Sequence, residues 1–264
     1  MAEITANGVR FHVQRLTARK SCQVDPPTVI FVHGLISNLS SFFFPLANAV
    51  ADAGAEVLLY DMRGRGFSER PPTGYSVSDS VADLDALLDA LGVCGSVHLV
   101  GRCYGGTVAL GFAIGHPERV ASLVLIEAAV VGERWAEGID KWIVGARARL
   151  AQGGQAYRRR RTTLEALVNG TTLMADLRTS RPFSAEELST VTCPVQAICG
   201  AESRTLHHAY RLDELLPRYT LTILPGYDHN VLAYTNPAVV RDILLAWLAL
   251  ESAPHSRSSR ETPY

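Results

Sequence analysis

Two kinds of apolar pattern alternate along the chain. Short runs rich in Val, Ile and Leu occupy residues 28–32, 56–60, 97–100, 122–126, 195–199 and 221–224. Such runs, bounded by polar or Gly/Pro residues, predict strands buried on both faces. Residues 4–16 predict two further strands around the turn Asn7-Gly8, a residue pair suited to left-handed backbone. Between the runs, apolar residues recur every three or four positions over residues 42–53, 77–91, 104–114, 206–216 and 238–250, which predicts amphipathic helices. Strands alternating with helices imply an α/β fold with a mostly parallel sheet flanked by helices.

The rhythm breaks once. From about residue 131 to 188 there is no strand pattern, only helical stretches rich in Arg, Ala and Leu. The expected organisation is therefore a core of residues 1–130 and 190–250, with a helical cap insertion at 131–189. The Ser/Arg/Pro-rich residues 251–264 lack periodicity and are expected to form a disordered tail.

Composition narrows the function. The chain has 264 residues, 47% of them hydrophobic, enough for a substantial core. A net charge of −1 gives no global field for nucleic acid or anionic membrane, so neither is expected as a partner. No apolar run approaches membrane-spanning length, and the N-terminus lacks a basic-then-apolar signal pattern, which leads to the expectation of a cytoplasmic protein. The cysteines (22, 94, 103, 193 and 199) are odd in number and none has C-x-x-C spacing, so neither a metal site nor a disulfide framework is expected. No cofactor motif stands out; Gly64-x-Gly66 follows a strand, but Glu69 occupies the third glycine position of a dinucleotide loop.

One segment carries most of the candidate chemistry. The strand ending Leu99-Val100 runs into Gly101-Arg102-Cys103-Tyr104-Gly105-Gly106, and a helical pattern begins at once. A sharp strand-to-helix turn presents its central side chain in strained geometry and needs small neighbours, which Gly101 and Gly105 supply. The helix N-terminus behind Cys103 favours a thiolate there.

This Gly-x-Cys-x-Gly turn resembles the nucleophile elbow of the α/β-hydrolase superfamily, with cysteine where the usual motif has serine. Similar cysteine elbows occur in dienelactone hydrolases and polyhydroxyalkanoate synthases. The likeness extends to about residue 250: His33-Gly34-Leu35 after a core strand is similar to the family's oxyanion loop, and Asp61-Met62-Arg63-Gly64-Arg65-Gly66-Phe67-Ser68 to its Asp-x-Arg-Gly-x-Gly-x-Ser loop. The resemblance implies that the backbone N–H groups of Leu35 and Tyr104 form the oxyanion hole. It also implies that His229, after the last strand, is the base. Asp61 and Arg63 are expected to pair with each other.

The acid departs from the pattern. The family's Gly-x-x-Asp position reads Gly200-Ala201-Glu202-Ser203, with no carboxylate in the slot. Glu127, closing the run Leu123-Val124-Leu125-Ile126, is the first candidate to replace it, because some lipases and polyketide thioesterases of the superfamily carry their acid there. Glu202 is the alternative, and a Cys–His pair without an acid is a third possibility. Trp135, Trp142, Leu150 and Met174 are candidates to line an acyl pocket. The run Arg158–Arg161 is read either as a solvated helix face or as a receiver for coenzyme A phosphates or an acidic carrier. These features point to a cysteine-dependent acyltransferase or thioesterase acting on CoA- or carrier-bound acyl groups through an acyl-Cys103 intermediate. An ester or lactone hydrolase is the alternative, and a catalytically silent ligand-binding homologue the competing class.

Overall fold

The computed structural model describes residues 2–19, 25–130, 132, 135–232 and 237–251. Cys22 and the expected tail beyond residue 251 lie outside them. Strands β1 (Ala2–Ala6), β2 (Val9–Leu16), β3 (Thr28–Val32), β4 (Glu56–Tyr60), β5 (Val97–Arg102), β6 (Val120–Ile126), β7 (Val195–Gly200) and β8 (Tyr219–Leu224) form one sheet in the order β1-β2-β4-β3-β5-β6-β7-β8. β1 and β2 pair antiparallel through Asn7 and Gly8, both at positive φ (47° and 70°), as a tight hairpin demands. β2 also pairs antiparallel with β4, and every later pairing is parallel. The expected α/β fold, with its mostly parallel sheet, is what the chain adopts.

The central strands alternate their buried side chains between two cores. Ile30, Leu99 and Leu125 face one side with Leu84, Leu87 and Phe112. These come from α3 (Val77–Ala90) and α4 (Tyr104–Gly115). Phe31, Val100, Val124 and Ile126 face the other, against Leu46, Val50 and Leu244. This second layer comprises α1 (Ser40–Phe42), a π-helical stretch at Phe43–Ala47, α2 (Asn48–Asp52) and, after the sheet, α10 (Ala238–Glu251). With both faces covered, an uninterrupted apolar run is what a parallel strand requires.

Between β6 and β7 the described chain is helical: α5 (Trp135–Gln152), α6 (Arg158–Gly170), α7 (Leu173–Arg178) and α8 (Ala185–Ser189). Ile143, Ala146, Leu150 and Leu164 give this insertion a small core of its own, with Trp142 and Met174 packed against it. α9 (Leu206–Leu215) then joins β7 to β8. The carboxyl ends of β3, β5, β6, β7 and β8 thereby open beneath the inserted helices, where parallel sheets place their ligands.

Candidate active site

β5 ends at Arg102 and α4 begins at Tyr104, so Cys103 turns the chain by itself. Its backbone is at φ 52°, ψ −120°, and its N–H donates to the Ile126 carbonyl at 2.9 Å. The turn is crowded, and only glycine fits beside it. A Cβ at Gly101 would lie 2.5 Å from the Gly105 carbonyl oxygen, and one at Gly105 would strike the carbonyl of Val32. Among the described residues, the non-glycine positions at positive φ are Asn7, Cys103 and Glu127. Two of the three face each other across the site, and strain of this kind costs of order 1–3 kcal/mol per residue.

Glu127 follows β6 directly and is 1% exposed. Its carboxylate takes hydrogen bonds from the Gly200 N–H (2.6 Å), the Thr205 hydroxyl (2.6 Å) and the Ser203 hydroxyl, and Oε2 lies 3.1 Å from His229 Nδ1. Burial pushes this carboxyl up, but the bonds from His229, Ser203, Thr205 and Gly200 outweigh it, and Glu127 ends below the usual range. Glu202, by contrast, is exposed.

His229 stands between the two strained residues: its Nδ1 lies 3.1 Å from Glu127 Oε2, and its interaction with the Cys103 thiol shifts the titration of both groups. Burial pulls its imidazole down, yet the bonds and charges of Cys103 and Glu127 raise it to about 9. For the Cys103 thiol, burial pushes upward. The His229 hydrogen bond, the His229 and Arg102 charges and the Tyr104 N–H reverse this, leaving the thiol below its ordinary value. Each group thus favours the charged form of the other, which is the signature of a thiolate–imidazolium pair.

The loop after β3 lies against Cys103: a Cβ at Gly34 would sit 3.6 Å from the Cys103 Cβ. His33 pins this loop. Met62 N–H donates to His33 Nε2 at 3.0 Å, so the ring proton sits on Nδ1 and is donated to the Gly34 carbonyl at 2.8 Å. Burial lowers His33 to about 4, which keeps the ring neutral. Arg65, itself buried, donates from Nε to the Leu35 carbonyl at 3.0 Å.

The expected Asp61–Arg63 pair does not form. Asp61 accepts from His12 (2.9 Å) and from the N–H groups of Leu39 and Phe67, while Arg63 grips Asp83 of α3 through two nitrogens at 2.6 and 2.8 Å. Asp83 matches the flat guanidinium fork from a neighbouring helix, leaving Asp61 to close its own loop.

Leu35, Cys103 and Tyr104 together line a cavity of about 450 Å³ beneath the inserted helices. Trp135, Ile139 and Trp142 of α5 form its apolar wall. Leu150 and Met174 do not line it and belong instead to the small core of the insertion. Arg158–Arg161 are exposed, with Arg160 lying 5.8 Å over the Tyr157 ring. Ser203 and Thr205, which hold Glu127, are the site residues that sequence reasoning did not assign.

A sharp strand-to-helix turn after the central strand and a sheet of this order are features of the α/β-hydrolase fold. Residues 27–182 match the family model described as alpha/beta hydrolase fold, and the chain belongs to that family. It is similar to 2-(acetamidomethylene)succinate hydrolase of Mesorhizobium japonicum, 25% identical over 84% of this chain and 88% of that one. RutD of Variovorax paradoxus, named as a carbamate hydrolase, is 39% identical over 105 residues. The chain spans about two fifths of the length of this relative and of RutD of Caulobacter segnis. In structure it resembles CumD, a meta-cleavage product hydrolase, at TM-score 0.74 and 22% identity, over 94% of this chain and 98% of that one. No described helix is long and apolar enough to cross a membrane.

Proposed function

We propose that the protein hydrolyses a small-molecule ester or lactone through a Cys103–His229–Glu127 triad. The observation that carries this reading is the continuous relay from Glu127 through His229 to a cysteine at the floor of a 450 Å³ cavity. The Cys103 thiolate attacks the substrate carbonyl carbon, and the carbonyl electron pair moves to oxygen, which the Leu35 and Tyr104 N–H groups receive. The oxyanion collapses, the bond to the leaving oxygen breaks, and imidazolium His229 gives that oxygen its proton. The product is a thioester on Cys103. Neutral His229 then takes a proton from water, hydroxide adds to the thioester carbonyl, and thiolate departs, regenerating the pair. Glu127 keeps the ring oriented and its Nδ1–H engaged throughout.

Hydrolysis is preferred to transfer because several similar proteins, among them RutD and 2-(acetamidomethylene)succinate hydrolase, are named as hydrolases. The cysteine favours a second reading, acyl transfer from CoA- or carrier-bound thioesters, since thioester exchange is nearly thermoneutral. The exposed Arg158–Arg161 run is its other support. A silent ligand-binding homologue would have no use for two strained side chains joined by a histidine. Rates of p-nitrophenyl ester hydrolysis test the proposal. Cys103→Ala and His229→Ala are each expected to lower kcat/KM by about 10³-fold or more. Hydrolysis unaffected by both would refute it.

A further inference from the structure

The cavity over Cys103 is not wholly apolar. Besides the tryptophans, Lys141 of α5 and Arg204 of the turn between β7 and α9 line it. Among the described residues neither has an ion-pair partner, whereas other arginines of the helical insertion do: Arg147 with Glu165, Arg178 with Asp140, Arg181 with Glu187. Arg149, also on α5, likewise lacks a carboxylate partner among the described residues. Partial burial lowers it first, and then the Arg204 charge, which the Cys103 charge opposes. Glu137 is the acidic residue of the described lining. His208 adds no charge at neutral pH, since burial and then the neighbouring His207 lower it to about 4. Arg204 therefore brings to the cavity a guanidinium with no carboxylate partner among the described residues. The flat fork of arginine matches a carboxylate, and an arriving carboxylate would form paired, charge-assisted hydrogen bonds with it.

We propose that the substrate of this site carries a carboxylate remote from the carbonyl that Cys103 attacks, seated on Arg204, with its apolar chain along Trp135 and Trp142. This specificity rests on the hydrolase reading above.

Two measurements separate the proposals. In the first, kcat/KM is compared for the mono-p-nitrophenyl ester of glutaric acid and for the same ester with its free carboxyl methylated. The free acid is expected to be favoured at least about tenfold, mainly through KM. That ratio should fall about tenfold in Arg204→Gln and largely survive in Arg204→Lys. A ratio near one, or a ratio unchanged in Arg204→Gln, overturns the subsite. In the second, Cys103→Ala is titrated with glutaric acid monoamide and its methyl ester, following tryptophan fluorescence. If neither ester is hydrolysed, the hydrolase reading fails; tighter, Arg204-dependent binding of the free acid then still upholds the subsite, and equal binding rejects it.

Discussion

Ser203 Oγ donates a hydrogen bond to Glu127 Oε2, the same oxygen that faces His229 Nδ1 at 3.1 Å. Ser203 stands in the slot where the family usually carries its acid, and there it anchors a carboxylate supplied by the neighbouring strand. An aspartate at 203 would set a second negative charge against Glu127, so the two arrangements exclude each other. Glu127→Gln keeps the shape but removes the charge and is expected to lower kcat by about 10²-fold. The double variant Glu127→Ala/Ser203→Asp restores one carboxylate within the same cluster. It should recover at least about tenfold over Glu127→Ala, with circular dichroism confirming that both variants fold. No recovery would mean that His229 reads the exact position of Glu127 rather than a nearby charge.

The coupled titration sets the pH profile. If thiolate is the attacking form, activity should rise as pH climbs through the Cys103 value, which lies below that of an ordinary thiol. It should fall above about pH 9 as imidazolium, the proton donor to the leaving group, is lost. The raised His229 value also stabilises the fold below its unfolded value of about 6.5, and that share disappears as pH passes about 9. Cys103→Ala removes the anion that His229 faces, so the ring's NMR titration should move down from about 9. An unmoved titration would show that the two groups are not paired.

Arg102 is the nearest fixed cation to the nucleophile in sequence. Its Nη2 donates to the His229 carbonyl at 3.4 Å, and its Nε is buried without a hydrogen-bond partner. Arg102→Met should raise the Cys103 titration, followed by thiolate absorbance, by about 0.5–1 unit. A titration left in place would assign Arg102 to packing alone.

The elbow stores strain that glycine would release. Cys103→Gly and Cys103→Ala both lack the thiol, so comparing them isolates the backbone at φ 52°, ψ −120°. The glycine variant should be more stable in urea by about 1 kcal/mol or more, despite glycine's larger unfolded-state entropy. Equal stability would mean the turn is relaxed for any residue.

Several parts of this site were legible in the sequence because they follow local rules. An apolar strand, a crowded turn with small neighbours and an immediate helix identify Cys103, and chain order singles out His229. Glu127 was readable because a carboxylate seldom ends a fully apolar run. Ser203 and Thr205 were not assigned, since a hydroxyl that anchors an acid looks like any loop residue. The one available signal was the carboxylate missing at 203. The partner of Arg63 was missed because Asp83 meets it only after β4 and α3 have packed together. Of the apolar residues expected in a pocket, helix phase decides for those on α5: Trp135 and Trp142 share the cavity face with Ile139, while Leu150 turns with Ile143 and Ala146 into the core of the insertion, against which Met174 of α7 packs.

Whether Cys103 carries the acyl group is best read by intact-protein mass spectrometry. Rapid quenching after mixing with a panel of p-nitrophenyl esters and lactones should reveal an added mass equal to the acyl group, mapped to Cys103. The adduct should decay as product appears, be absent in Cys103→Ala, and accumulate when His229→Ala slows deacylation more than attack. Absence of any adduct across the panel, or an adduct that persists in Cys103→Ala, would contradict the account.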